Sequence, residues 1–276
     1  MEEASVIVHL IYFSPNGTTR RTVQRIAQRF AEYKVVEHNL HSPASRQQKL
    51  KFEAEDLVIF GMPSAGVLYG RVHEIFHCLI GANTPMVGVV LYGNGYYGVA
   101  LKQMRKMAEE RGFRVAAMGA FIGQHALNAA IGTARPDDRD MKVIDDFANK
   151  IYTKVVTEGD LKLHSLPGVG RARAFPYNLV VAARKLCATE YKLPAFMKSK
   201  KYNEKCSECG TCARNCPAGA IDLERRSFKL SRCIGCNSCV NHCPKAAIEP
   251  TSVVMKMIAK DFGRAAAGRM EPEIFI

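Results

Sequence analysis

Short apolar runs alternate with amphipathic stretches over the first 158 residues. Residues 5–13 are β-branched and aromatic with almost no polar break, which is typical of a strand buried on both faces of a parallel sheet. A helix is predicted next, because apolar side chains recur at helical spacing at Val23, Ile26, Ala27, Phe30 and Ala31. Further strands are predicted at 33–38, 56–61, 85–91 and 112–121, and further helices near 71–80, 99–111 and 136–158.

This alternation predicts an α/β domain over residues 1–158, built on a doubly wound parallel sheet of five strands. Ligands of such sheets bind beyond the carboxyl ends of the strands. The loops expected at that edge are 14–19, 62–70 and 92–98, and all three are rich in turn-forming residues. The sequence therefore places a candidate ligand site at these loops.

The first of these loops has the composition of an anion site. It reads Ser14-Pro15-Asn16-Gly17-Thr18-Thr19 and lies between a predicted strand and a predicted helix. Free backbone N–H groups, the helix dipole and the hydroxyl groups would all face a bound anion. No Lys follows the glycine and no GxGxxG pattern is present, so neither a nucleotide-triphosphate loop nor a dinucleotide loop is predicted. The alternative is an ordinary helix cap.

Eight of the ten cysteines form two runs of identical spacing, and each run ends in Cys-Pro. The second run repeats the first 27 residues later, which indicates an internal duplication. In this spacing three cysteines hold one iron–sulfur cube, and the fourth ligates the other cube. Two 4Fe–4S clusters are therefore predicted, the first on Cys206, Cys209, Cys212 and Cys243 and the second on Cys233, Cys236, Cys239 and Cys216.

Zinc and disulfides explain this pattern less well. A zinc site needs four ligands and leaves the spacing unexplained. Disulfides suit small secreted domains, whereas the chain begins with the acidic Met1-Glu2-Glu3 and lacks a membrane-length apolar run, which predicts a cytoplasmic protein. An organism that avoids oxygen would suit such clusters. The remaining Cys78 and Cys187 are expected to be small buried hydrophobes.

Three segments are predicted after the α/β domain. Residues 159–200 are a linker with scattered proline, glycine and basic residues, and a short helix is expected at 178–193. Residues 201–250 form the cluster domain, with a hairpin-like turn at 224–227 between its halves. Residues 251–276 are a tail helix, because Val254, Met257, Ile258 and Phe262 share one helical face.

Taken together, residues 1–158 resemble a flavodoxin, and the whole chain resembles the flavodoxin–ferredoxin fusion proteins. The segment Tyr92-Gly93-Asn94-Gly95-Tyr96-Tyr97-Gly98 is similar to a ring loop of that family. The resemblance implies FMN, with its phosphate on Ser14, Asn16, Gly17, Thr18 and Thr19. It implies ring contacts from Pro63, Tyr69, Tyr92, Gly93, Asn94 and Tyr97, with Tyr97 stacking on the ring. His125 either borders the flavin or is an ordinary loop histidine.

The expected function is electron transfer between the two clusters and FMN, and on to a redox partner protein. The alternative is a reductase of an organic substrate, fed by the clusters, with His125, Tyr96 or Tyr97 as proton donor. A redox sensor is a third reading.

The formal net charge of +13 bears on the partners. Two clusters and a flavin phosphate would lower it by roughly six, which leaves a basic protein suited to acidic redox partners. Nucleic acid is not expected, because no recognised motif accompanies the basic residues. Contact of the basic linker with a membrane surface is the alternative to a solvated linker. The sequence gives no indication of the oligomeric state.

Overall fold

The structure is a computed structural model. It describes residues 6–165, 168, 193–254, 256, 257, 260, 266 and 268–276. Almost all of the helix expected at 178–193, Cys187 and much of the expected tail helix lie outside these residues.

The α/β domain contains seven strands and four helices within the described residues. Its strands are β1 (Ile7–Tyr12), β2 (Lys34–Asn39), β3 (Leu50–Phe52), β4 (Leu57–Pro63), β5 (Leu79–Gly81), β6 (Thr84–Tyr92) and β7 (Phe113–Ile122). Its helices are α1 (Thr18–Ala27), α2 (Val72–Cys78), α3 (Ala100–Glu109) and α4 (Asp138–Ile151). A π-helical turn at Tyr152–Thr157 continues α4.

The main sheet has the strand order β2-β1-β4-β6-β7, and all four of these pairings are parallel. This is the flavodoxin-like order, in which the ligand crevice opens at the switch point between the first strand and its inner neighbour, here β1 and β4. The predicted doubly wound, five-stranded α/β fold is confirmed. The sequence did not reveal the short parallel pair of β3 and β5.

A sixth strand, β12 (Glu273–Phe275), pairs antiparallel with β7 at the sheet edge. Ile274 lies opposite Gly119, and Phe275 lies opposite Met118. The expected tail helix over 251–276 is therefore wrong at its end. The apolar face that predicted it lies upstream, whereas the last residues, Glu-Ile-Phe-Ile, satisfy a free sheet edge.

Helices cover both faces of the sheet. On one face α1 and α4 bury Val23, Ile26, Phe147 and Ile151. On the other face α2 and α3 bury Ile75, Phe76, Leu101 and Met104. Every residue of the central strand β6 is buried between them. Each large apolar side chain buried in this way contributes about 1.5–3 kcal/mol, so the sheet holds its carboxyl-end loops on a rigid base.

The cluster domain is small and has little regular structure. It contains β8 (Lys200–Tyr202), α5 (Thr211–Arg214), β9 (Ile221–Asp222), β10 (Ser227–Phe228), α6 (Ser238–Asn241) and β11 (Ile248–Pro250). Strand β9 pairs with β10 across the predicted turn, and β8 pairs with β11, both antiparallel. None of the helices described is both long and apolar enough to span a bilayer.

Candidate functional site

The two cysteine runs line two cavities. Cys206, Cys209 and Cys212 of the first run share one cavity with Cys243 of the second run. Pro244, the residue after Cys243, completes that wall.

The second cavity has the reciprocal composition. It is lined by Cys233, Cys236 and Cys239 of the second run and by Cys216 of the first. These are the two groups of four that the spacing predicted. Each group of four combines three cysteines of one run with one of the other, which is the ligand pattern of a two-cluster domain.

Backbone amides point at the cysteine sulfurs in a repeated pattern. Ala220 N donates to Cys216 Sγ (3.3 Å), and Ala247 N, its counterpart in the second run, donates to Cys243 Sγ (3.2 Å). Such bonds to ligand sulfurs are among the features that set a cluster's reduction potential. The donor set therefore fits two iron–sulfur clusters, with one such bond to the fourth cysteine of each group.

The two cavities differ in their exposure. Cys209 of the first cavity is exposed, and a hydrogen bond with Thr211 lowers the pKa of its thiol. Cys236 of the second cavity is buried, and burial raises the pKa of its thiol to about 12. A buried thiolate is stabilised by a bound cation, so metal binding at the second cavity is coupled to loss of these protons.

An aromatic pair lies between the cavities. Tyr202, on the wall of the first cavity, stacks on Phe228, on the wall of the second, with ring centroids 4.9 Å apart. The Tyr202 hydroxyl lies 3.7 Å from Cys212 Sγ. Cys212 is in turn close enough to Cys239 to help raise the pKa of that thiol. The cavities are therefore neighbours, as short-range electron transfer requires.

The second cysteine loop rests on the α/β domain. Tyr69 Oη donates to Ile234 O (2.6 Å), and Asn16 Nδ2 donates to Cys236 O (3.2 Å). Ser238 Oγ, which is buried, donates to Pro15 O (2.7 Å). Three hydrogen bonds thus tie the loop to the segments that follow β1 and β4.

The predicted phosphate loop lies at the carboxyl end of β1. Gly17 is the N-cap of α1, and Arg20 N donates to Ser14 Oγ (3.0 Å). A Cβ on Gly17 would meet no atom within 4 Å, so the loop is open on that side. Thr18 is partly exposed, whereas Thr19 is 2% exposed with its methyl group against Gly61. The phosphate end of an FMN site is therefore partly available.

The loops predicted to hold the flavin ring contact each other instead. Val99 N donates to Gly66 O (2.8 Å), and Ser64 Oγ donates to the Tyr97 carbonyl oxygen (3.2 Å). Pro63, at the end of β4, accepts a hydrogen bond from Tyr69 N (2.9 Å), which folds the first of these loops back on itself. In this arrangement the two loops are held in direct contact by these hydrogen bonds.

The aromatic side chains of the second ring loop are also engaged. Tyr97 is 2% exposed and packs edge-on against Tyr92, with centroids 5.6 Å apart. Its hydroxyl donates to Glu273 on β12 (2.9 Å). Burial and Glu273 together raise the pKa of Tyr97, so its hydroxyl stays protonated. Tyr97, as placed, is not available to stack on a flavin.

The C-terminal tail covers Asn94. The Asn94 amide donates to the carbonyl oxygens of Ala266 (2.9 Å) and Gly268 (2.8 Å), and its oxygen accepts from Met270 N (3.0 Å). Gly93 lies against the ring of His125, since a Cβ there would be 2.3 Å from the imidazole. Asn94 and Gly93, two of the residues expected to contact the isoalloxazine ring, therefore contact protein groups in this arrangement, whereas the phosphate loop fits a phosphate.

Gly98 allows the contact between the ring loops. It has φ +59, and a Cβ there would lie 2.1 Å from Gly66 O. We expect Gly98→Ala to destabilise the α/β domain by about 2–4 kcal/mol, because backbone strain and a clash with another backbone segment add. Gly17→Ala is the matched control: φ is +83 but nothing lies within 4 Å, so about 1 kcal/mol is expected. Denaturant unfolding of both variants measures the difference, and equal losses would contradict this reading of the loop contact.

His125 follows β7, and its burial makes the folded protein less stable under acid conditions. Burial lowers the pKa of the imidazole to about 4, and its Nδ1 accepts from Leu127 N. The unfolded chain, with an ordinary pKa of 6.5, binds more protons between pH 4 and 6.5, so stability present above pH 6.5 is lost as the pH falls through this window. Between pH 7.5 and 5.5 the iron-loaded protein should lose roughly 1 kcal/mol through His125, and His125→Asn should remove that share. Denaturant titrations at both pH values check this, and identical pH slopes would refute it.

Sequence reasoning missed Arg46, which joins the two domains. Its side chain is 2% exposed, and it donates to Leu40 O (2.8 Å) and, across the interface, to Pro217 O (2.7 Å). Burial lowers the pKa of its guanidinium, and Glu74 opposes that shift. In the sequence Arg46 lies in a polar stretch that reads as a solvated loop, so no local signal marks it.

A family model described as a 4Fe-4S dicluster domain matches residues 198–247, close to the predicted cluster domain. The chain joins a flavodoxin-like domain to a 4Fe–4S dicluster domain. The strand order shows the flavodoxin-like fold, and the family match indicates the 4Fe–4S domain. The chain is thus similar, over residues 198–247, to an iron–sulfur domain. A search of curated proteins found no match to it.

Three solved structures are similar to the α/β part of the fusion. A flavodoxin from the domain Archaea is 13% identical, with 54% of this chain and 99% of that chain covered and a TM-score of 0.38. A protein described as a flavoprotein from Bacteroides uniformis is 16% identical, with 44% and 92% covered and a TM-score of 0.34. Another from Bacteroides eggerthii is 15% identical, with 53% and 98% covered and a TM-score of 0.35. Because these scores are low, the fold assignment rests on the strand order.

Proposed function

We propose that this protein transfers single electrons through two 4Fe–4S clusters. The observation that carries the proposal is the crossed arrangement of the two cavities, each lined by three cysteines of one run and the fourth of the other. Bound clusters would supply the redox chemistry, and the protein would supply ligands, burial and hydrogen bonds to sulfur that set the potentials.

The two cluster sites differ in exposure, which indicates the site that a redox partner can reach. The first site faces solvent at Cys209, whereas the second is buried at Cys236 against the α/β domain. We infer that a redox partner docks at the first site and that the second site is the inner station. The stacked Tyr202 and Phe228 fill the space between them with close-packed atoms.

An acidic partner protein suits the outer site. Lys245 lines the first cavity together with Arg226, which pairs with Glu208, and Lys201 lies on the neighbouring groove wall. Complementary charge speeds association and is screened by salt. Electron exchange with an acidic partner should therefore slow as ionic strength rises.

FMN is the further carrier that the sequence predicts. The open side of the loop at Gly17 supports binding of its phosphate, whereas the loops expected to hold the ring contact each other at Gly66 and Val99. We therefore assign the relay to the clusters. FMN would bind with its phosphate on residues 14–19.

The reductase alternative has less support from this arrangement. It requires a proton donor facing an open cavity over a flavin. Tyr96 is 8% exposed and Tyr97 is 2% exposed, and His125 is neutral at physiological pH because burial lowers its pKa to about 4. None of the three candidate donors is placed for that role.

Anaerobic redox titration tests the proposal. The purified protein should take up about two electrons per chain, reversibly, because each cluster accepts one. The visible absorption of the clusters should bleach as these electrons enter. Irreversible bleaching, or uptake without return of the electrons to an acceptor, would count against a carrier.

A further inference from the structure

The crevice at the switch point of the sheet is filled by the chain itself. In the flavodoxin-like strand order a ligand enters between the loops that follow β1 and β4. Here the segment 232–241, which holds Cys233, Cys236 and Cys239, contacts both loops. It also contacts the loop after β7, because the Asn241 amide donates to Ala126 O (3.3 Å).

The contacts form a row along the segment. Arg71 donates to Arg232 O (2.9 Å) at one end, and Asn241 Nδ2 donates to Asn16 Oδ1 (3.0 Å) at the other. Between them lies Ile234, whose side chain packs against the core of the α/β domain. The row therefore combines polar contacts to three loops with one apolar anchor.

We propose that segment 232–241 occupies the space that a flavin ring would need, so that the docked cluster domain and bound FMN exclude each other. This inference rests on the proposed ligation of the second cluster by the same segment. Asn16 illustrates the competition, since the resemblance assigns its side chain to a phosphate and the structure gives it to Cys236 O and Asn241. When only a fraction of molecules is open, the apparent affinity for FMN falls by that fraction.

FMN titration of the iron-loaded full chain tests the proposal, with flavin fluorescence as the readout. Ile234→Ala/Asn241→Ala weakens docking from the cluster side and leaves the residues expected to bind FMN unchanged. We expect the wild type to bind FMN at least about tenfold more weakly than this variant, because two docking contacts are lost. Val253→Ala, at a residue 68% exposed in the segment after β11, is the control and should behave as the wild type.

Equal affinity of the wild type and the variant, whether tight or absent, would overturn the proposal. A gain that required removal of residues 266–276 would assign the exclusion to the tail and would also overturn it. Iron content is measured on every sample. Loss of iron from the wild type would count against the clusters, whereas an unchanged FMN affinity with full iron would count against the competition alone.

Discussion

Replacing Cys243 with alanine should remove the first cluster, although Cys243 belongs to the second cysteine run. The first cavity contains Cys206, Cys209 and Cys212 together with Cys243, and a cube needs all four thiolates. The single variant should lose about four of about eight irons per chain. Cys78→Ala is the control, because that buried cysteine donates only to Ile75 O and lies in neither cavity.

Paired substitutions show which cluster is lost. If Cys206 and Cys243 share a cube, Cys206→Ala/Cys243→Ala should still keep about four irons, because both changes remove the same cluster. Cys233→Ala/Cys243→Ala should keep almost none, because it removes one ligand of each. The opposite result, with the first pair emptied and the second retaining iron, would show that each run binds its own cluster.

Asp140→Ala should be the most damaging change outside the clusters, with a loss of about 3–5 kcal/mol. Asp140 is 0% exposed and forms a two-point contact with the buried Arg135, which in turn donates to Asn94 (3.1 Å) and to Met270 O (2.8 Å). Arg269 also donates to Asp140 (3.0 Å). Removal of the carboxylate leaves Arg135 as an unpaired buried charge and loosens the tail.

Asp145→Ala is the matched control for this experiment. Asp145 also pairs with an arginine at two points, 2.6 and 2.8 Å from Arg25, but both side chains are at least 40% exposed. An exposed pair of this kind contributes less than about 1 kcal/mol. Denaturant unfolding followed by far-UV circular dichroism compares the two variants. Similar losses would show that Asp140 does not hold the tail in place.

The sequence predicted the parts of the structure that depend on local pattern. Four of the five parallel strands are apolar runs long enough to be recognised, and β6 is buried along its whole length, whereas the edge strand β2 is largely exposed. The cysteine spacing carries its own chemistry, so the cross-paired grouping of Cys216 and Cys243 follows from their positions beside proline.

The sequence does not predict the long-range contacts, because no local pattern encodes them. β12 forms by pairing with the free edge of β7. The apolar residues upstream of it predict a helix and give no sign of this strand. Tyr69 lies in a loop that is predicted to contact the ligand. Its hydroxyl instead donates to the carbonyl oxygen of Ile234, 165 positions away. Loops 62–70 and 92–98 were placed correctly at the edge of the sheet, and their mutual contact depends on three-dimensional packing at Gly66 and Gly98.

The measurement that bears most directly on the account is the iron and acid-labile sulfide content of protein purified without oxygen. About eight irons and about eight sulfides per chain are predicted, since two cubes require that stoichiometry. One mononuclear metal per cavity with no sulfide would contradict the clusters. About half of the predicted iron would contradict the two-site relay, provided that the chain is full-length and the eight cysteines of the two runs are intact.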